Sequence, residues 1–210
     1  MKKIYFVRHG QSESNVANVH GHAEHPLTEV GRQQAEFVAE RCARLPVETF
    51  ISSTMTRARQ TAAAISKKIG LEPQYSDLFT EARGPTAFQG KPKDSAELVA
   101  GQLDITEHFG VPGYHFADEE NFDDLNERAR RALEYLAGQE AENILVVTHG
   151  YFMRILIARV VFGDNLTARE GKEFIRTFHM ENTGLSVFGY DTKQENPWWL
   201  WVWNDHEHLG

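Results

Sequence analysis

Hydrophobic and polar positions along this chain fall into two alternating rhythms. Ile4-Tyr5-Phe6-Val7 is a short apolar run that stops at Arg8-His9-Gly10, and it reads as a buried strand ending in a polar turn. After Thr28-Glu29, Val38, Cys42 and Leu45 recur at the spacing of one helix face, and Pro46 closes the pattern. Phe50-Ile51 reads as a second short strand. Ala58, Ala62, Ile65 and Ile69 then predict a second helix, with Thr54 as its N-cap and Gly70 as its C-terminal stop. Leu125, Ala129, Ala132, Leu133 and Leu136 mark a third helix. Ile144-Leu145-Val146-Val147 follows as the clearest buried-strand signal, running into Thr148-His149-Gly150, and Tyr151 to Phe162 is helical again.

Strands alternating with helices of this length predict an α/β fold, a three-layer α/β/α sandwich around a mostly parallel sheet. The end of the chain breaks the rhythm. Leu185 to Phe188 and Trp199 to Trp203, separated by Asp191 to Pro197, predict a hairpin on the sheet edge, with Trp199, Trp201 and Trp203 packing from one strand face. Residues 85–127 also depart from the alternation, and they carry ten acidic residues against only Lys91 and Lys93. They are expected to form a small inserted cap or excursion within a single domain spanning residues 1–210.

Composition narrows the function classes. The 210 residues can bury a sizeable core, and 30 Asp plus Glu against 22 Lys plus Arg give a formal net charge of −8. That charge repels nucleic-acid backbone and anionic lipid at long range, so neither is an expected partner. No stretch reaches the roughly 20 apolar residues of a membrane span. The single cysteine, Cys42, has no internal disulfide partner and falls on an apolar helix face. The first apolar run meets Arg8 before it attains secretory length, so the expected location is cytoplasmic.

The chemistry concentrates at strand ends. Ligands of open α/β sheets sit beyond the carboxyl ends of the strands. Two separate strand patterns here end in His-Gly, at His9-Gly10 and at His149-Gly150, so neighbouring strands would bring both imidazoles to one rim. A helix starting after Gly150 would aim free N–H groups there, which suits an anion. Arg8 adds a charge beside His9, and Arg57 arrives from the first turn of the helix after Phe50-Ile51. Forked guanidiniums neutralise phosphoryl oxygens, while an unprotonated imidazole can attack phosphorus in line. Neighbouring cations keep one histidine neutral by lowering its pKa. A proton donor for the leaving alkoxide is also required, and Glu81, after Leu78-Phe79, is the best candidate.

At these residues the sequence resembles the histidine phosphatase superfamily, the phosphoglycerate-mutase-like group. The matching pieces are Val7-Arg8-His9-Gly10-Gln11-Ser12 with Asn15, Pro26 to Gly31 with Gln34-Ala35, and Ser52-Ser53 with Arg57-Ala58 and Thr61-Ala62. They continue with Leu78 to Glu81, Val146 to Gly150, Asn182-Thr183-Gly184 and Asn204-Asp205. The resemblance implies a two-step phosphoryl transfer. It makes His9 the phosphate-accepting nucleophile, gives Arg8, Arg57 and His149 the phosphoryl oxygens, and makes Glu81 the proton donor, with Glu24 and Glu29 as substitutes for that acid. It further implies that Asn15 and the backbone near Gly150 help hold the phosphate, and that Gly21 and His22 sit near the leaving group. No metal or organic cofactor is implied.

Other features have simpler readings. Gly21-His22-Ala23-Glu24-His25 lacks the strand or helix context of a zinc motif and reads as a surface loop. Asp118 to Glu127 reads as a solvated approach to a helix N-terminus, since it lacks the pattern of a calcium loop. Arg83, Lys91 and Lys93 are either surface charges or readers of the substrate beyond its phosphate. The expected function is hydrolysis of a phosphomonoester, from a small phosphorylated metabolite or a phosphoprotein, through a phosphohistidine. The alternatives are a phosphoglycerate-type mutase and a non-catalytic phosphoprotein-binding domain. The aromatic edge strand also allows a homodimer.

Overall fold

The computed structural model describes residues 1–210. In chain order the elements are β1 (Lys2–Arg8), α1 (Glu13–Val16), α2 (Glu29–Cys42), β2 (Thr49–Ser52), α3 (Thr56–Ile69) and β3 (Gln74–Tyr75). They continue with α4 (Ala96–His108), α5 (Phe122–Ala137), β4 (Asn143–Thr148), α6 (Gly150–Phe162), α7 (Ala168–Thr177), β5 (Leu185–Tyr190) and β6 (Trp198–Asp205). One sheet of six strands runs in the order β3-β2-β4-β1-β5-β6. Its first four strands are parallel, and β5 and β6 join antiparallel at the far edge, as the alternating pattern predicts.

Strand periodicity assigns the two faces. Ile4 and Phe6 of β1, Ile51 of β2, and Ile144 and Val146 of β4 point to one side, where α5 and α6 bring Leu125, Leu136, Phe152 and Ile155. Tyr5, Val7, Phe50, Leu145 and Val147 point to the other side, against Val38 and Cys42 of α2 and Ala58, Ala62 and Ile65 of α3. Strands buried on both faces read as continuous apolar runs, which explains why β1 and β4 stand out in the sequence. Cys42 is a core thiol whose pKa burial pushes up to about 12. No helix is long and apolar enough to cross a membrane.

Two local expectations are corrected. The α3 helix begins at Thr56 with Met55 as its N-cap, one residue after the predicted Thr54. The Thr54 hydroxyl donates instead to the Asp77 carboxylate at 2.6 Å, and so leaves the helix end. Along β6, the pairing slips between Leu185 and Phe188 so that β6 carries extra residues, and Asn204 takes a φ of 54° there. The three tryptophans therefore do not share a face. Trp203 joins Trp198 and Leu200 against the α6 side and meets Phe178 edge-on at 5.7 Å, whereas Trp199 and Trp201 pack on each other at 5.2 Å.

Residues 85–121 add no strand to the sheet. They hold a single 3₁₀ turn at Thr86–Phe88 and then α4, and a bridge between Val19 and Pro92 ties them to the loop after α1. The acidic approach ends in a capping box, in which Asn121 accepts from the Asp124 N–H and Asp124 accepts from the Asn121 N–H.

The turn after β1 packs directly on the start of α2. A Cβ on Gly31 would overlap the Gln11 carbonyl oxygen, and one on Gly10 would overlap the Gly31 carbonyl. Both neighbours are backbone and cannot move aside. Gly31→Ala should therefore destabilise the protein by at least about 2 kcal/mol, at the upper end of ordinary overpacking. A lowered urea midpoint checks this.

Candidate active site

The register of the two central strands sets the site. Arg8 of β1 lies opposite Thr148 of β4, so His9 and His149 are the next residues on adjacent parallel strands. Their ring centroids are 4.9 Å apart and tilted by 57°. Both rings are buried, His149 completely and His9 to 2% exposure. Arg57 comes from the first turn of α3, where the strand-turn-helix path from β2 delivers it to the same rim at 7% exposure.

Hydrogen bonds decide which nitrogens are free. His9 Nδ1 lies 2.7 Å from the Gly10 carbonyl, which can only accept, so Nδ1 carries the proton. Nε2 then presents a lone pair, to which the Arg57 Nε–H donates at 3.1 Å. His149 Nε2 lies 2.8 Å from the Ser53 hydroxyl, and that hydroxyl already accepts from the Met55 N–H. The Ser53 O–H meets no other acceptor, so it donates to Nε2, and the proton of His149 resides on Nδ1. His149 Nδ1 and Arg8 Nε are both buried with no partner in the protein. Unsatisfied buried donors are costly, and two of them side by side mark a place for an anion.

The backbone around this pair is fastened from several directions. Asn182 Nδ2 donates to the His9 carbonyl at 2.9 Å, the Thr183 N–H donates to the Arg8 carbonyl at 3.0 Å, and Arg8 Nη1 donates to the Met180 carbonyl. Gly150 leaves room for Arg8, since a Cβ there would stand 3.1 Å from Arg8 Nε. Glu81 bends back to the N-terminus of α6, where its carboxylate accepts from the Phe152 N–H at 2.9 Å and the Tyr151 N–H at 3.2 Å. Arg128 of α5 holds the Glu81 segment by donating to the Thr80 carbonyl at 2.8 Å and the Leu78 carbonyl at 3.2 Å. Its other edge makes a two-point pair with Glu120 at 2.7 and 2.8 Å, and its plane lies 4.0 Å over the Phe152 ring.

Arg8, His9, Asn15, Gly21, His22, Arg57, Glu81 and Arg83 all line one cavity of about 660 Å³. His149 and Gly150 are buried and are not among its lining residues. Asn15 accepts from the Ser12 N–H at 2.9 Å, and the His22 carbonyl accepts from Arg57 Nη1 at 3.1 Å. The His22 ring stacks at 3.9 Å on His25. Neither substitute acid reaches the cavity wall, because Glu24 accepts from Thr56 at 3.0 Å and Glu29 pairs with Arg32 on the outside of α2. Sequence reasoning passed over Ser53, Arg128, Glu120 and the Met180 carbonyl as working parts. Ser53 belonged to a recognised piece but was given no role, whereas Arg128 looks like any charge on an amphipathic helix, and only the topology reveals it.

Burial, reinforced by Arg57 and Arg8, drives the His9 pKa well below the ordinary histidine value of 6.5. Burial acts likewise on His149, with Arg57 next and then His9 itself. Burial also draws Arg8 and Arg57 down from 12.5, yet a guanidinium stays charged at neutral pH. Two cations thus face two neutral rings. A depressed folded pKa means that the unfolded chain binds protons that the folded chain refuses. Stability is therefore full above about pH 6.5 and falls as pH drops from there toward the folded values, by up to about 1.4 kcal/mol per pH unit for each ring. Urea midpoints measured between pH 8 and 5 should show this slope, and His149→Asn should make it shallower. A slope unchanged by that substitution would refute the assignment.

The model of the histidine phosphatase superfamily (branch 1) matches residues 4–206. A protein called probable phosphoglycerate mutase GpmB from Photorhabdus laumondii subsp. laumondii is 30% identical over 209 residues, covering 97% of this chain and 90% of the relative. The solved structure of Bacillus stearothermophilus YhfR superposes with a TM-score of 0.81 at 26% identity, covering all of both chains. A mycobacterial glucosyl-3-phosphoglycerate phosphatase in complex with VO3 shares the fold with a TM-score of 0.78 at 23% identity, over 98% of this chain and all of that one. With the ordered motifs, the strand register and a family match over nearly its whole length, the chain belongs to the histidine phosphatase superfamily.

Proposed function

We propose that the protein hydrolyses a phosphomonoester through a phosphohistidine formed on His9. The observation that carries this reading is the bond from His9 Nδ1 to the Gly10 carbonyl, which fixes the tautomer and leaves a lone pair on Nε2 between two guanidiniums. In the first step that lone pair attacks phosphorus, the phosphorus–oxygen ester bond breaks, and the leaving oxygen takes a proton from the Glu81 carboxyl. In the second step the Glu81 carboxylate takes a proton from water, the water oxygen bonds to phosphorus, and Nε2 departs with its electron pair. Ester plus water becomes alcohol plus inorganic phosphate. Arg8, Arg57, the His149 Nδ1–H and the Gly150 N–H neutralise the phosphoryl oxygens, whose charge grows most in the transition state, while the Tyr151 and Phe152 N–H groups stay with Glu81. Asn15 and His22 line the same cup, Gly21 lets the chain run close to Ser14, and Arg83 stands at the mouth. Of residues 85–127, the stretch before α5 acts as the cap, since Phe122 to Glu127 open that helix and pack Leu125 into the core.

The Photorhabdus relative's name supports a second reading, return of the phosphoryl group to a phosphoglycerate. Such a substrate carries a carboxylate beyond its phosphate, and holding it calls for uncommitted cations at the mouth. Of the two cations at the mouth, Arg128 is paired with Glu120, and only Arg83, whose Nε donates to the Asp118 carbonyl at 2.8 Å, lacks a carboxylate partner. Water is then the better acceptor. The complex of the mycobacterial neighbour with VO3, a phosphate-like oxyanion, also favours a phosphatase.

His9→Ala should lower kcat/KM for p-nitrophenyl phosphate by about three or more orders of magnitude, the loss expected for an essential nucleophile. Normal turnover in that variant would remove His9 from the role. Glu81→Gln should slow an alkyl phosphate by about 10² to 10⁴. With p-nitrophenyl phosphate, whose leaving group needs no acid, it should instead give one stoichiometric burst of p-nitrophenol followed by slow turnover. Comparing inorganic phosphate release with 3- to 2-phosphoglycerate interconversion separates the two readings, and hydrolysis predicts release without interconversion.

A further inference from the structure

The turn before β5 holds its backbone in an unfavourable shape. Thr183 is fully buried and has a φ of 60°. That left-handed conformation is an outlier for a β-branched residue, and it persists only where the surroundings over-determine it. One set of surroundings is the nucleophile itself. The Thr183 N–H donates to the Arg8 carbonyl at 3.0 Å, and Asn182 Nδ2 donates to the His9 carbonyl at 2.9 Å. The peptide units on both sides of the His9 Cα are therefore aimed by this turn. The Gly184 carbonyl adds a third hold by accepting from the Arg8 N–H at 3.2 Å.

The other set of surroundings is the end of the chain. His208, in a 3₁₀ turn at Glu207–Leu209, places Nε2 at 3.1 Å from Thr183 Oγ1 and Nδ1 at 3.4 Å from Arg41 Nη1 of α2. A guanidinium only donates, so Nδ1 is the acceptor and Nε2 carries the proton. Thr183 Oγ1 can receive that proton, because its own hydrogen goes to the Asn182 carbonyl at 2.6 Å. Arg41 is oriented in turn by two contacts to the Asp205 carboxylate, one of them at 2.9 Å. Burial, then Arg41, lowers the His208 pKa from its ordinary value, in keeping with a neutral ring. Asn204 secures the opposite end of the turn, where its Oδ1 accepts from the Glu181 N–H at 2.7 Å.

We propose that His208 is a positioning residue for phosphoryl transfer, holding Thr183 in its left-handed conformation so that the turn aims the backbone of His9. The proposal rests on the phosphomonoesterase reading. His208 does not line the phosphoryl cavity, and its effect passes through one hydroxyl and two backbone carbonyls. Without the Nε2–H, Thr183 relaxes toward negative φ, its N–H turns from the Arg8 carbonyl, and His9 loses the alignment that in-line attack requires. Arg57 and His149 hang from other elements and continue to bind phosphate. The loss therefore falls on kcat rather than KM.

The purified full chain and its variants are assayed with p-nitrophenyl phosphate at a temperature where urea midpoints show each of them folded. His208→Asn keeps an acceptor for Arg41 but falls short of Thr183, and it should lower kcat by about tenfold or more with KM within about twofold. His208→Gln reaches Thr183 with an N–H and should restore kcat to within about threefold of the unaltered chain. Thr183→Val removes the hydroxyl at nearly constant bulk and should match His208→Asn. The double variant His208→Asn with Thr183→Val should be no slower than the slower single, since both remove one interaction. A kcat unchanged by His208→Asn, a His208→Gln no faster than His208→Asn, or losses that multiply in the double variant overturn the positioning role alone. No turnover by the unaltered chain overturns the phosphomonoesterase reading and this inference with it.

Discussion

Two buried imidazoles, the buried Arg57 and the half-buried Arg8 crowd together beyond the carboxyl ends of β1, β4 and β2, and the rest of the structure accommodates that crowding. Four cations so enclosed would be untenable, and the site exists because both rings are neutral. Neutrality is secured one nitrogen at a time. The Gly10 carbonyl fixes the proton of His9, and the Ser53 hydroxyl fixes that of His149. The cost of burying unpaired donors at Arg8 Nε and His149 Nδ1 is what an arriving oxyanion relieves. Stability and reactivity are thereby opposed at one spot, as expected where polar groups are organised before their ligand arrives.

Holding such a cluster still is the work of parts that touch no substrate. The Met180 to Thr183 turn clasps the Arg8-His9 backbone, and Gly10 against Gly31 lets that turn sit flush on α2. Arg128 reaches from α5 to carbonyls on the Glu81 segment, and its own charge is balanced by Glu120 and covered by Phe152. A carboxyl on an irregular loop gains from this a position set by two helices, α5 through the guanidinium and α6 through its first N–H groups.

Much of this was legible in the order of residues. Buried parallel strands announce themselves as unbroken apolar runs, and their polar ends located both histidines and Arg8. The apolar spacing of α3 carried Arg57 to the same rim. What the sequence concealed was of two kinds. The slipped pairing of β6, with Trp201 as an extra residue between the Leu200–Phe188 and Val202–Val187 pairs, separates Trp203 from Trp199 and Trp201, and side-chain alternation carries no trace of a bulge. The N-cap of α3 moved because Thr54 found a tertiary partner in Asp77, and a local rule yields to such a contact. Arg128 and Glu120 were hidden for a related reason, since charges on a helix become structural only when a distant loop is brought beneath them.

The cup also differs in its build from the neighbouring cavity of about 510 Å³, with which it shares Glu81. The cup rests on strand ends, with His9, His149 and Arg57 buried and Arg8 and Glu81 half-buried but fastened, so a change there disturbs core and chemistry together. That cavity draws seven of its 16 lining residues from 85–121, a stretch that joins the rest through the Val19–Pro92 bridge, the hold of Arg83 on Asp118 and the bond from the Arg83 N–H to Glu120. Side chains on such an excursion can change with little effect on the sheet, which lets one phosphoryl site serve many alcohols. Glu81 is the exception. Standing on the shared wall and tied to both α5 and α6, it belongs mechanically to the cup and chemically to the leaving oxygen, so the two cavities can be tuned apart only up to that residue.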